Sequence, residues 1–251
     1  MFFDIIASGS KGNATIVKFK SSLILIDMGI TCIRLSEELK RFNLSIDDID
    51  AAIFTHDHSD HIKGLKFLKP KICYALESTL PSSLSNVVKN NEPFYINEVK
   101  ITPFMTYHDA KNPCGYMLEG DDKKLVYMTD TGKFNETDIQ LVKNPDYIII
   151  ESNHDIPMLL KTKRTAELKN RILSELGHLC NEDSAAISAK MIGNKTKQIF
   201  LAHLSEEANT PSLALSAYKK IFTYFGLDFE KYKIKCAKQN ESIIGGDYDQ
   251  N

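Results

Sequence analysis

One stretch, Thr55-His56-Asp57-His58-Ser59-Asp60-His61, limits what this chain can fold into more than any other. Four potential metal ligands, His56, His58, Asp60 and His61, fall within six residues. The apolar run Ala51-Ala52-Ile53-Phe54 leads into them and reads as a buried strand. In an extended segment residues two apart share a side, so His56 and His58 converge on one point. If the chain then turns, Asp60 and His61 face a second point nearby. Imidazole suits zinc, copper, iron and nickel, and carboxylate adds hard oxygen and negative charge. An ordinary solvated loop is richer in Lys, Glu, Ser and Gly. The stretch therefore reads as half of a two-metal site, carried on a rigid strand end.

Composition narrows the setting. The 251 residues suffice for one large domain or two small ones, with a sizeable core. A net charge of −2 gives no global pull toward nucleic acid, so polyanion binding must be local. No apolar run approaches the roughly 20 residues of a membrane helix. The start Met1-Phe2-Phe3-Asp4 lacks a signal peptide's basic region, and five scattered cysteines form no C-x-x-C pair. Both point to reduced thiols and a cytoplasmic protein. Cys180, two residues after His178, stays open as a ligand.

Short β-rich segments are expected at 2–6, 15–19, 23–26, 51–54 and 72–75, with hairpin pairs at 93–96/99–103 and 116–118/125–129. Further strands are expected at 147–151, 198–202 and 232–237. Helices are expected at 31–41, 62–68, 135–142, 165–176, 181–192 and 211–225. The pattern alone says α/β. The turn Ser8-Gly9-Ser10-Lys11-Gly12-Asn13 fits a plain hairpin connection better than an N–H cradle for an anion.

His56-x-His58-x-Asp60-His61 resembles the signature of the metallo-β-lactamase fold superfamily. The resemblance implies one domain over residues 1–251, built as a four-layer αββα sandwich. It also implies a ligand set: His56, His58 and His108 on one metal, Asp60, His61 and His203 on a second, and Asp130 bridging. His108, Asp130 and His203 stand at expected strand ends, in the order of the superfamily's later motifs. Two divalent cations, zinc or manganese with iron less favoured, would arm a bridging hydroxide that Asp60 helps orient. Asp27 would brace the metal loop. Glu151 and His178 resemble the Glu–His pair of tRNA 3′-processing nucleases, which helps protonate the leaving oxygen. His154 either borders the site or belongs to a loop.

Ser8–Asn13, Leu25-Ile26-Asp27-Met28-Gly29, Ser45–Asp50 and Glu151-Ser152-Asn153-His154-Asp155 together look like the bacterial YycJ/WalJ group, described as 5′-to-3′ DNA exonucleases linked to mismatch repair. That implies a phosphodiesterase with a nucleic acid substrate, DNA favoured. The alternative is a small-molecule phosphodiesterase or (thio)ester hydrolase of the same fold. A di-iron redox protein and a binding module with a relic site fit less well. Lys161, Lys163, Arg164, Lys169 and Arg171 form a basic cluster that reads more readily as a solvated face than as a phosphate track. Tyr107, Tyr116 and Phe134 are candidates for base stacking, though aromatic residues more commonly belong to the core.

Overall fold

The run Ala51–Phe54 forms a strand with every residue buried. It can be apolar throughout because it has a parallel neighbour on each side. The computed structural model describes residues 1–248. It divides into two compact units, described in turn.

The first unit comprises Met1–Met105, Ala110–Lys123 and the segment from Lys238 onward. Its strands are β1 (Phe2–Ala7), β2 (Ala14–Lys18), β3 (Leu23–Ile26), β4 (Ala51–Phe54), β5 (Cys73–Leu76) and β6 (Asn86–Val88). Next come β7 (Phe94–Ile96), β8 (Val99–Met105) and β9 (Cys114–Gly120). With the C-terminal β14 (Ile243–Gly246), β1 to β6 make a mixed sheet in the order β14-β1-β2-β3-β4-β5-β6. Strands β14 to β3 pair antiparallel, and β3 to β6 pair parallel. Strands β7, β8 and β9 form an antiparallel ladder.

Helix α1 (Cys32–Lys40) starts where Thr31 accepts the Arg34 N–H at 3.2 Å, leaving no orphan donor at that position. It buries Leu35 and Leu39 in a cluster with Ile6, Ile16, Leu25 and Phe54. From β9, the Tyr116 hydroxyl donates to the Phe54 carbonyl at 2.7 Å, and the Cys114 N–H donates to Thr55 O at 3.0 Å. The end of β4, where the histidine stretch begins, is thus tied down. Tyr116 is fully buried and serves the core, not a base.

The second unit comprises Thr106–Asp109 and Lys124–Ala237. Strands β10 (Lys123–Met128), β11 (Tyr147–Glu151), β12 (Gln198–Ala202) and β13 (Lys233–Cys236) run parallel in the order β13-β12-β11-β10. Glu151 pairs with Ala202, so His203 follows directly beside Glu151. The helices are α3 (Glu136–Leu141), α4 (Ile156–Lys161), α5 (Ala166–Leu173), α6 (Asn181–Met191) and α7 (Pro211–Tyr224). The Tyr218 hydroxyl of α7 lies 2.7 Å from Ser184 Oγ and 2.9 Å from Ser188 Oγ of α6, a polar pin between buried helix faces.

Most expected elements form within a few residues of their expected bounds. The helix expected at 62–68 does not. A shorter α2 (Ser59–Ile62) forms earlier, and Leu65–Phe67 makes only a 3₁₀ turn. Gly64 explains the break: its N–H donates to Met28 O at 2.6 Å, and a Cβ there would meet the Met28 side chain at 2.4 Å. Strands β6 and β14 and helix α4 were not expected from the pattern. For α4 the signal was present, since Asp155 caps it by accepting the Met158 N–H and Pro157 stands in its first turn.

Gly29, just past β3, is the tightest backbone approach around the histidine stretch. A Cβ built on it would lie 1.7 Å from Asp60 O and 2.5 Å from Asn13 N. Both atoms are backbone and already bonded to each other, with Asn13 N to Asp60 O at 2.8 Å. Gly29→Ala should cost about 3 kcal/mol or more, above the usual range for one overpacked methyl. A urea melt reads this directly; a midpoint equal to the parent's would contradict the packing described.

Candidate metal centre

Two buried carboxylates organise the candidate residues, one in each unit. Asp27 directly follows β3 in the first, with φ of 58°. Left-handed backbone is tolerated better by Asp than by most residues and is common where geometry is imposed for function. Its Oδ1 accepts the Thr55 N–H at 2.9 Å, and its Oδ2 lies 2.9 Å from the Thr55 hydroxyl and 2.8 Å from His61 Nδ1. A carboxylate only accepts, so His61 carries its proton on Nδ1 and presents Nε2 as the basic nitrogen. The Thr55 hydroxyl spends its one proton on Asp27. Toward His56 Nδ1, 3.0 Å away, it is therefore the acceptor, and His56 takes the same tautomer.

Just beyond β4 the His56 and His58 rings lie at 4.6 Å centroid separation. Asp57 turns the other way, where its Oδ1 accepts the Lys111 N–H at 3.2 Å. Helix α2 then folds His61 back onto His56, with centroids 4.0 Å apart. Asp60 sits in the first turn of α2, and its Oδ2 lies 3.5 Å from His61 Nε2. Asn13, which sequence reasoning did not single out, steadies this corner: its Nδ2 is 3.3 Å from Asp60 Oδ2 and 3.0 Å from His61 Nε2.

The loop holding Asn13 is a brace, not an anion cradle. Gly9 N donates to Asn13 Oδ1, Lys11 N to Gln239 Oε1, Gly12 N to Gly9 O, and Asn13 N to Asp60 O. Those donors are committed within the unit.

In the second unit Glu151 plays the part of Asp27. It ends β11 and is fully buried. Its Oε1 lies 2.8 Å from both His178 Nδ1 and His203 Nδ1. Its Oε2 accepts the N–H groups of Thr131 at 3.2 Å and Leu179 at 3.1 Å. Burial pushes this carboxyl up, but the His178 and His203 interactions outweigh it and bring it down to about 2. Four hydrogen bonds use the lone-pair sites of a carboxylate. Glu151 therefore orients its neighbours rather than ligating, and His178 and His203 both present Nε2.

His108 follows the same rule, with Nδ1 3.0 Å from the Gly177 carbonyl. Burial holds its pKa below the ordinary value, which keeps the ring neutral as ligation requires. Asp130, just past β10, has Oδ1 3.8 Å from His108 Nε2 and 3.5 Å from His203 Nδ1. Asp130 and His203 both have φ of 54°, and the histidine is the more unusual of the two there. Asp130, Glu151, His178 and His203 bring ligand-type atoms within 4.8 Å of one another. The donor chemistry fits a divalent cation: neutral imidazoles with anchored Nδ1–H groups beside a buried carboxylate.

Several expectations change here. Cys180 is not a ligand candidate: burial pushes its thiol up to about 12, and its Sγ caps α6 by accepting the Asp183 N–H. The basic cluster keeps its reading as a solvated face, with three of its five residues held by partners of this chain. Arg164 pairs with Glu207, Arg171 with Asp109, and Lys169 donates to the Leu160 and Thr162 carbonyls. His154 is buried behind Glu151 and His178, and neither ring nitrogen has a hydrogen-bond partner. His178 keeps 14 % of its side chain exposed, which suits a group that meets substrate.

Comparison with known proteins places the chain in a family. Residues 23–203 match the family described as "Beta-lactamase superfamily domain". Exodeoxyribonuclease WalJ of Streptococcus pneumoniae strain D39 is 34% identical over 249 residues, covering 92% of this chain and 93% of that protein. Exodeoxyribonuclease YycJ of Bacillus anthracis is 33% identical over 234 residues, covering 88% and 89%. Among solved structures, the metallo-β-lactamase fold protein YhfI from Bacillus subtilis superposes with a TM-score of 0.71 at 15% identity, covering 97% of this chain and 99% of that one. At that identity the likeness speaks for the fold alone.

His154 generates a stability prediction. Burial, chiefly, pushes its pKa down from 6.5 to about 4. The unfolded chain therefore binds this proton first, and the stability it supports above pH 6.5 is lost as pH falls toward 4. Between pH 7 and pH 5, His154→Phe should lose roughly 2 kcal/mol less unfolding free energy than the parent. Denaturant titrations at the two pH values measure the difference; parallel losses would show that His154 is not buried in neutral form.

Proposed function

The chain belongs to the beta-lactamase superfamily and carries its metallo-β-lactamase fold, and from that premise we propose that it is a metal-dependent exodeoxyribonuclease. It is a hydrolase, and its substrate is a nucleic acid, with DNA favoured over RNA by its kinship to proteins named exodeoxyribonucleases. The observation that carries this reading is the common tautomer of His56, His61, His108, His178 and His203. Each Nδ1–H is anchored on an oxygen, which leaves Nε2 of His56, His61, His108 and His203 as the basic nitrogen and leaves Nε2 of His178 to hold the proton it gives up.

The ligand set we assign is His56, His58 and His108 on one cation, Asp60, His61 and His203 on the other, and Asp130 between them. Zinc and manganese both suit such donors. When bound, two such cations supply a nucleophile from water at neutral pH and offset charge growing on the phosphoryl oxygens. The chain's own residues do the rest. Asp60 orients the attacking water. His178 carries a proton on Nε2 and delivers it to the leaving oxygen. Glu151 is a positioning residue: it fixes the ring of His178 and, through the same oxygen, the ring of His203. Five cysteines, none in a disulfide, accord with action in the cytoplasm. No helix among the described residues is long and apolar enough to cross a membrane.

The test offers end-labelled single- and double-stranded DNA and RNA, with 5′ phosphate or hydroxyl, under zinc or manganese. DNA should shorten from its 5′ end and stop doing so with chelator. Intact DNA beside a hydrolysed small ester or phosphodiester would move the assignment to a small-molecule hydrolase. His178→Ala should lower kcat on DNA about 10²–10⁴-fold, and far less on an aryl phosphodiester whose leaving group needs no proton. Equal losses would remove His178 from the role of acid. Glu151→Gln should lower kcat and also weaken metal binding about 10–100-fold, because His203 loses its anchor. Unchanged metal affinity would confine Glu151 to His178.

A further inference from the structure

The second unit holds a cavity of about 310 Å³ that the proposed chemistry does not use. Its walls are apolar: Phe134, Ile139, Leu179 and Ile187, all buried, with Ala186 between. Its rim is polar, with Lys133, Lys190 and Asp183. A small apolar chamber with a few polar groups at its mouth is the usual form of a ligand site, and this volume lies at the small end of the range, about 300–1,000 Å³. It admits one ring system rather than a run of nucleotides.

Two segments that carry candidate site residues run into this cavity, and a third packs against it. Asp130 is followed by Gly132, Lys133 and Phe134, which line it. His178 is followed by Leu179, which lines it. Tyr107, which precedes His108, braces the same wall. It accepts the Gly132 N–H on its carbonyl at 2.8 Å, and the Lys133 ammonium sits 4.9 Å above its ring. The cavity is thus one or two residues along the chain from Asp130 and His178, and the residue before His108 braces its wall.

We propose that this cavity seats a nucleobase of the substrate strand, from a nucleotide flanking the bond that is cut. The inference rests on the exodeoxyribonuclease reading and adds a subsite to it. The flat faces of a base meet Phe134 and the aliphatic walls, contacts open to any base because every base has a π-face. At the rim, Lys133 is paired with Glu175 and Lys190 with Glu136 at 2.8 Å, so Asp183 and the ion-paired ammonium groups line the edge that the base's ring edges would face. Burial of one base against the apolar walls holds the strand end while His178 acts on the neighbouring phosphodiester.

The experiment uses the metal-loaded protein and DNA with an abasic residue at the first or second position from the end being cut. With the parent chain, one of the two abasic substrates should lose on the order of tenfold or more in kcat/KM, the loss expected when base stacking is removed. Ala186→Trp, which fills the cavity, should abolish that discrimination, its urea midpoint reporting whether it folds. If the parent cuts both abasic ends as well as intact DNA, the base subsite is wrong and the nuclease assignment survives. The same holds if a folded Ala186→Trp variant still discriminates. If the parent cuts no DNA at all, the nuclease assignment itself fails and takes this inference with it.

Discussion

Everything proposed for this molecule depends on two carboxylates that never need to touch a substrate. Asp27 and Glu151 are each buried, each at the end of a central strand, and each hydrogen-bonded to the far side of a histidine ring. A neutral imidazole has one donor and one acceptor nitrogen, and which is which follows from its partner. An acceptor-only partner on Nδ1 removes the choice. Without Asp27 the ring of His61, and without Glu151 the rings of His178 and His203, could each take either tautomer.

The price of this arrangement is visible around it. An unpaired carboxylate in such surroundings would cost several kcal/mol, so both are saturated. Asp27 takes the N–H and hydroxyl of Thr55 as well as His61, and Glu151 takes two further N–H groups. Left-handed backbone at Asp27, Asp130 and His203 adds local strain that the surrounding parallel strands must hold in place. Gly29 and Gly64 let backbones approach where any side chain would collide. The structure thus spends stability to keep ring orientation, which is what a preorganised metal site requires.

Much of this was legible beforehand. The dense stretch from His56 to His61 stood out because three histidines in six positions have no ordinary explanation. His108, Asp130 and His203 were each unremarkable alone and entered only through the family resemblance, which their order at expected strand ends fits. Asn13 and Thr55 carried no signal, because short polar residues occur everywhere and their role comes from partners distant in sequence. The same is true of Gln239, which pins the Ser8–Asn13 loop from the other end of the chain. Strand β6 is short with two of its three residues exposed, and β14 is a Gly-containing edge, so neither has the apolar period by which strands are read. The basic cluster reads more readily as a solvated face than as a phosphate track, and ion pairs and carbonyl caps do take up Arg164, Lys169 and Arg171.

The most direct test of the central claim is anomalous diffraction from crystals of the metal-loaded protein. The account predicts two cations per chain, one on His56, His58 and His108, the other on Asp60, His61 and His203, with Asp130 reaching both and Glu151 reaching neither. A single cation held by Asp130, Glu151, His178 and His203 would contradict it, because Glu151 would then be a ligand and the shared tautomer would have another purpose.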